Sequence, residues 1–249
     1  MDLGENPIQK IFRGAFDYFR KGVIYSQESF EVFKDKKHYS YNFVSEQNSR
    51  TATGELLRIT IDYQINKNWL PQFVTIKKHL GSQEVIETFE YDQGSSSIIY
   101  TFTPSKGRPT QVKILAPPHY HITTPTVSTS FLFVLSKKFD TTSRNDYAVL
   151  ISKNQWKYVE PPKFFNVSLE RVNVTSETII INAHELQSFQ YKLLATDDVI
   201  TANRKKSNKE PPQFIRVFLS QHLAIPYLIE GENETTVQIK YLKNLEDSG

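Results

Sequence analysis

From Arg58 to Ile65 the chain reads Arg-Ile-Thr-Ile-Asp-Tyr-Gln-Ile, with every odd position apolar and every even one polar. The same alternation returns at Tyr39/Tyr41/Phe43, Ile215/Val217/Leu219, Ile225/Tyr227/Ile229 and Val237/Ile239/Tyr241. Successive side chains of an extended strand point to opposite faces, so each segment buries one face and leaves the other in water. The pattern predicts strands at 23–33, 37–45, 54–66, 72–80, 84–92, 96–103, 109–115, 126–135, 147–152, 156–160, 164–173, 177–183, 188–194, 213–220, 224–230 and 235–243. Turn residues lie between them, as in Lys34-Asp35-Lys36-Lys37, Asn66-Lys67-Asn68, Asp92-Gln93-Gly94 and Pro104-Ser105-Lys106-Gly107. No connection is long enough for the repeated crossover helices of a parallel sheet. The chain is therefore expected to be mainly β, one large antiparallel curved sheet or barrel.

One segment reads differently. Asn6 suits a helix N-cap, Pro7 the first helical position and Gly22 the stop after Arg20 and Lys21. Between them Ile8, Ile11, Phe12, Ala15, Phe16 and Phe19 recur at spacings of three and four. This predicts an amphipathic helix over 7–21 that plugs or covers the sheet, with docking to a membrane surface or partner as the alternative. Prolines at 117–118, 125 and 161–162 break the rhythm of the middle. Residues 104–165 are expected to cross, close or cap the sheet through longer loops, with 136–147 a polar loop. A single domain over 1–249 is the expected organisation.

Composition narrows the function classes. Phe (17) and Tyr (13) dominate the aromatic set beside only Trp69 and Trp156, which suits either a sheet core or an aromatic-lined cavity. Thirty basic and 27 acidic side chains leave +3, and the cations are scattered, so nucleic acid is not an expected partner. The densest run, Arg204-Lys205-Lys206-Ser207-Asn208-Lys209, reads as a solvated hairpin tip. Without cysteine there are no disulfides, thiolate nucleophiles or thiolate metal ligands. Met1–Asn6 shows neither a basic n-region nor an apolar h-region, which makes the cytoplasm the default compartment and leaves the envelope open for a trimmed chain.

The final third carries a rhythm of its own. It runs Ile179-Ile180-Ile181-Asn182-Ala183-His184-Glu185, then Phe189-Gln190-Tyr191-Lys192-Leu193, then Phe214-Ile215-Arg216-Val217-Phe218-Leu219. It closes with Ile225-Pro226-Tyr227-Leu228-Ile229-Glu230-Gly231-Glu232 and Val237-Gln238-Ile239-Lys240-Tyr241. Over 164–243 this order resembles a group of uncharacterised bacterial proteins similar to the open β-barrels of outer-membrane lipoprotein carriers. The resemblance implies one curved sheet, lipocalin-like or lipoprotein-carrier-like, with a helix in its concavity and an apolar ligand space. It transfers no catalytic residues.

Chemistry-bearing residues are few. In Pro117-Pro118-His119-Tyr120-His121 an extended chain would point His119 and His121 to one side, the spacing at which two imidazoles share a proton or a metal, or stand as a base at a cavity mouth. The plainer alternative is two exposed loop histidines, and no third ligand is supplied nearby, so no metal is expected. Glu87 shares a strand face with Val85, Phe89 and Tyr91, and Tyr100 lies between Ile98 and Phe102. A carboxyl held inside an apolar barrel could serve as an acid at neutral pH, although such a Glu also pairs commonly with a Lys. There is no Gly-x-Ser-x-Gly elbow and no Gly-rich phosphate loop, and no cofactor is expected.

The expected function is binding of an apolar or amphipathic small molecule, such as a lipid or isoprenoid-like chain. Tyr63, Phe89, Tyr91, Phe102, Tyr227 and Tyr241 are the candidate lining. The alternative is a cofactor-independent cyclase or isomerase using the same cavity, with His119, His121, Glu87 and Tyr100 as candidate acid–base groups.

Overall fold

The computed structural model describes residues 7–136, 144–195, 215–220, 223–231 and 233–246. The basic run at 204–209 and most of the expected 136–147 loop lie outside them. The first eight strands form a meander: β1 Ile8–Arg20, β2 Val23–Asp35, β3 Ser40–Arg50, β4 Leu56–Ile65, β5 Pro71–Leu80, β6 Gln83–Asp92, β7 Ser97–Thr103 and β8 Thr110–Leu115. After β9 (Tyr120–Ile122) come two short 3-10 turns, Val127–Thr129 and Leu132–Ser136. The second half comprises β10 Arg144–Ile151, β11 Lys163–Arg171, β12 Glu177–Ile181, β13 His184–Ala195, β14 Ile215–Ser220, β15 Pro226–Glu230 and β16 Thr235–Asn244. All sixteen share one sheet, ordered β8-β7-β6-β5-β4-β3-β2-β1-β16-β15-β14-β13-β11-β10-β9, with β12 also on β13.

Every ladder is antiparallel except β9–β10, which is parallel. β11 and β12 pair with successive parts of the same side of β13, as one strand interrupted at 172–176. Only Ala116–His119 separate β8 from β9, although these strands end opposite edges of the sheet. So short a link spans at most about 17 Å, so the sheet has to curl until its two edges approach. The edges do not join. β9 instead tucks inside the curl, where Tyr120 donates its hydroxyl hydrogen to the Pro71 carbonyl at 2.7 Å. Tyr120, His121 and Ile122 are accordingly all buried, on both faces of their strand. The result is an open, barrel-like curl with one edge folded within it.

The expected N-terminal helix is a strand. β1 pairs with β2 on one side and β16 on the other, burying Phe12, Gly14, Phe16 and Tyr18 at a period of two. A bulge at Ile11, which faces no residue of β2, puts Ile11 and Phe12 next to each other in the core and mimics helical spacing. Gly22 stops no helix. With Lys21 (φ 51°) and its own φ of 75° it makes the two-residue left-handed turn that matches strand twist in a hairpin. The membrane-docking role offered for the helix loses its element.

Two further expected strands are absent. Residues 126–135 form the 3-10 turns, and 156–160 belong to an irregular strap between β10 and β11. Both lie over the concave face. Val127 and Leu132 join the core of β1–β7, with Phe43, Ile61, Tyr63 and Phe89. Phe131, Phe133 and Val134 join that of β10–β14, with Tyr147, Leu169, Tyr191 and Val217. The segment 120–136 is thus a plug between the two halves of the curl.

Candidate functional site

Four of the six residues named as candidate lining lie on the concave face. Tyr63 on β4, Phe89 on β6 and Phe102 on β7 are buried there, and Tyr91 is partly buried against Tyr120, ring centroids 5.7 Å apart. Tyr227 and Tyr241 lie elsewhere. They border a surface cleft of about 380 Å³ between the β12–β13 hairpin and β16, with Ile181, His184, Leu186 and Lys240.

Two candidate acid–base residues meet inside the curl. Tyr100 (β7) donates to Glu87 Oε2 (β6) at 2.7 Å, and Lys78 Nζ (β5) donates to Glu87 Oε1 at 3.0 Å. The alternation that buries Val74, Ile76 and Lys78 together also buries Val85, Glu87 and Phe89. The strap completes the cluster. Ser152 donates to Glu87, and Lys78 Nζ reaches the Asn154 carbonyl at 3.1 Å. Asn154 Nδ2 donates to Tyr100 and to the Glu160 carbonyl, both at 2.9 Å, and its Oδ1 accepts from Val159 and Glu160 N–H. Burial, then the Glu87 charge, pushes the Tyr100 phenol well up. Glu87 is paired as a buried carboxylate should be, and the ion pair fastens the strap to the sheet.

The two histidines separate. His119 is exposed ahead of β9, whereas His121 is 2% exposed. They share no face because the prolines hold the chain off the ladder until Tyr120, so alternation does not extend back to His119. His121 Nδ1 lies 2.9 Å from the Tyr63 hydroxyl, which also accepts from the Ile122 N–H at 3.2 Å. Its ring stacks on Tyr63 and meets Phe133 edge-on, and burial lowers its pKa to about 3. It is a neutral core imidazole at physiological pH.

A third buried polar point escaped the sequence reading. Glu28 on β2 accepts N–H bonds from Val127 (2.8 Å) and Ser128 (3.1 Å) and the hydroxyl hydrogen of Tyr18. Burial raises its pKa, opposed by those donors. Beside it Ser45, Thr124, Thr126 and Thr129 exchange hydroxyl bonds. The signal existed: Ser26, Glu28, Phe30 and Val32 alternate, so Glu28 points inward with the two apolar residues. Glu28, Tyr63 and the Lys78–Glu87 pair are three polar anchors by which the sheet holds 120–136 and 152–160. Among the described residues no three His, Asp or Glu side chains gather as a metal site, and no helix is long and apolar enough to cross a membrane.

No protein-family model matches this chain, and no curated protein matches it. Among solved structures it is similar to the crystal structure of a β-barrel-like protein of Domain of Unknown Function DUF1849 from Brucella abortus. The TM-score is 0.54 at 8% identity, covering 95% of this chain and 98% of that one. The likeness is one of fold. It meets the sequence resemblance at its coarse level, an uncharacterised open barrel-like protein, while the comparison with lipoprotein carriers rests on the rhythm of 164–243 alone.

Proposed function

We propose that this chain is a binding scaffold for an apolar or amphipathic small molecule of lipid or isoprenoid type, held against the concave face. One observation carries the reading: the inner side chains of β1–β7 make a largely apolar surface covered by the irregular segment 120–136, which is pinned at Glu28 and Tyr63. Phe131, Phe133 and Leu132 fill the space by apolar contact, which is non-directional and which a hydrocarbon chain can replace at similar free energy. The anchors at Glu28 and Tyr63 set where the plug sits, and the reading requires the plug to give way to the ligand. The fold likeness to a barrel-like protein is compatible with this and names no ligand.

The test is native mass spectrometry of the purified protein together with titration of a fluorescent fatty acid. A co-purified lipid, or saturable 1:1 binding weakened by Phe89→Asp on the concave face, supports the reading. A chain that carries nothing and binds no apolar probe under any condition ends it. The enzymatic alternative has one point in its favour, the meeting of Tyr100 and Glu87 beside Lys78. Against it, the bonds to Lys78, Tyr100 and Ser152 engage both Glu87 oxygens within the fold. A cyclase or isomerase activity lost in both Glu87→Gln and Tyr100→Phe, in proteins of unchanged fold, would favour it.

A further inference from the structure

We propose that His121 is an acid-operated release for the plug, its protonation unseating 120–136 from the concave face. The inference rests on the reading of that face as the ligand space and adds its control.

The geometry is a matter of counting hydrogens. The Tyr63 hydroxyl accepts from Ile122 N–H and has His121 Nδ1 within 2.9 Å. No other acceptor for its hydrogen is present among the described residues, so the hydroxyl donates to Nδ1 and the ring hydrogen sits on Nε2. Nε2 is buried with no hydrogen-bond partner among the described residues. Protonating Nδ1 would turn a second N–H onto the Tyr63 oxygen, strand the hydroxyl hydrogen and bury a cation with no anion. Among the described residues the elements packed around the ring offer none. β4 presents Tyr63, the second 3-10 turn presents Phe133 with Tyr147 of β10 behind it, and β10 places Val149 across the ladder. β9 itself adds Tyr120 and Ile122, and β5 the Pro71 carbonyl through Tyr120. The nearby titratable groups are thus phenols, and burial alone accounts for the lowered basicity of the imidazole.

The charged ring gains water only by taking β9 out of the curl. β9 is the strand to move, being three residues long and, among the described residues, laddered to β10 alone. With the imidazole solvated in the released state and neutral in the seated one, each pH unit below about 6.5 shifts the balance roughly tenfold toward release.

Hydrogen–deuterium exchange of the ligand-free, full-length protein at pH 7 and pH 5 tests this, rates being corrected for intrinsic exchange. Exchange in peptides spanning 120–136 is expected to rise at least tenfold at pH 5, while β3 and β4 stay protected. The pair Tyr63→Phe with His121→Phe removes both ends of the hydrogen bond and should abolish the rise, whereas His119→Gln should keep it. Equal pH dependence in wild type and double variant, or none in wild type, overturns the proposal. If the double variant does not fold, an NMR titration of His121 in wild type decides. A neutral ring that protonates only as plug protection is lost supports release, and one that titrates near pH 6.5 with the plug still protected refutes it. The readout uses no ligand, so failure of the binding function and failure of the release are separate results.

Discussion

At the scale of single residues, two positions expose how tightly the backbone is specified. Gly14 faces inward on β1, where a Cβ would sit 2.5 Å from the Phe30 ring and 2.8 Å from the Tyr241 carbonyl. Gly14→Ala must therefore displace the stacked Phe16–Phe30 pair, and a loss of about 1–3 kcal/mol in chemical denaturation is expected. Ala183 is the converse case. It is exposed in the Asn182-Ala183 turn with φ of 64°, a left-handed conformation that costs an alanine roughly 1 kcal/mol. Ala183→Gly relieves that strain at some cost in chain entropy, so a gain of about 0.5 kcal/mol in the same measurement is expected.

At the scale of elements, the strap 152–162 and the plug 120–136 are irregular chain buried against a sheet, and their peptide groups must find partners there. The Asn154 side chain supplies three such bonds and a fourth to the Tyr100 hydroxyl, which is why one side chain organises a whole strap. Asn154→Ala leaves the Val159 and Glu160 N–H groups without that acceptor. About 2–4 kcal/mol should be lost, and Trp156 in the strap should report loosening by a red-shifted, more quenchable emission. Lys78→Met strands the Glu87 carboxylate and is expected to cost about 3–5 kcal/mol. Adding Glu87→Gln should restore much of it, and a double-mutant cycle measures the coupling. Of these residues, Lys78 and Glu87 were legible from strand parity. Ser152 and Asn154 were not, because they lie on irregular chain with no period to orient them.

At the scale of the whole molecule, buried titratable groups shape stability against pH. His121 has a folded pKa near 3 against about 6.5 unfolded, so the unfolded chain binds more protons between those values. Its contribution is complete above pH 6.5 and declines as pH falls below that value. Glu28 acts oppositely: its raised pKa favours the fold below the ordinary carboxylate range and loses that advantage as pH rises. Urea denaturation between pH 4 and 8 should show wild type weakening toward acid, and the Tyr63→Phe/His121→Phe protein should lose that limb. At the alkaline end Tyr18, Tyr63, Tyr100, Tyr120 and Tyr147 all have raised pKa values through burial. Stability should fall above pH 10, with phenolate absorbance from these residues rising together with loss of the β circular dichroism signal.

Alternation of apolar and polar residues determined the strands from β2 to β8, the inward parity of Tyr63, Glu87, Phe89, Tyr100 and Phe102, and the antiparallel meander, because period two is a local property of an extended chain. It misread β1, since a bulge at Ile11 shifts parity and a short aromatic run with a glycine satisfies helical and strand spacing alike. Only the tertiary structure decided that β9 lies inside the curl, that His119 and His121 part, and that 120–136 fills the concave face. Those outcomes depend on contacts between residues 58 to 100 positions apart, such as His121 with Tyr63 and Val127 with Glu28, and no local pattern encodes which distant partner a buried polar group will find.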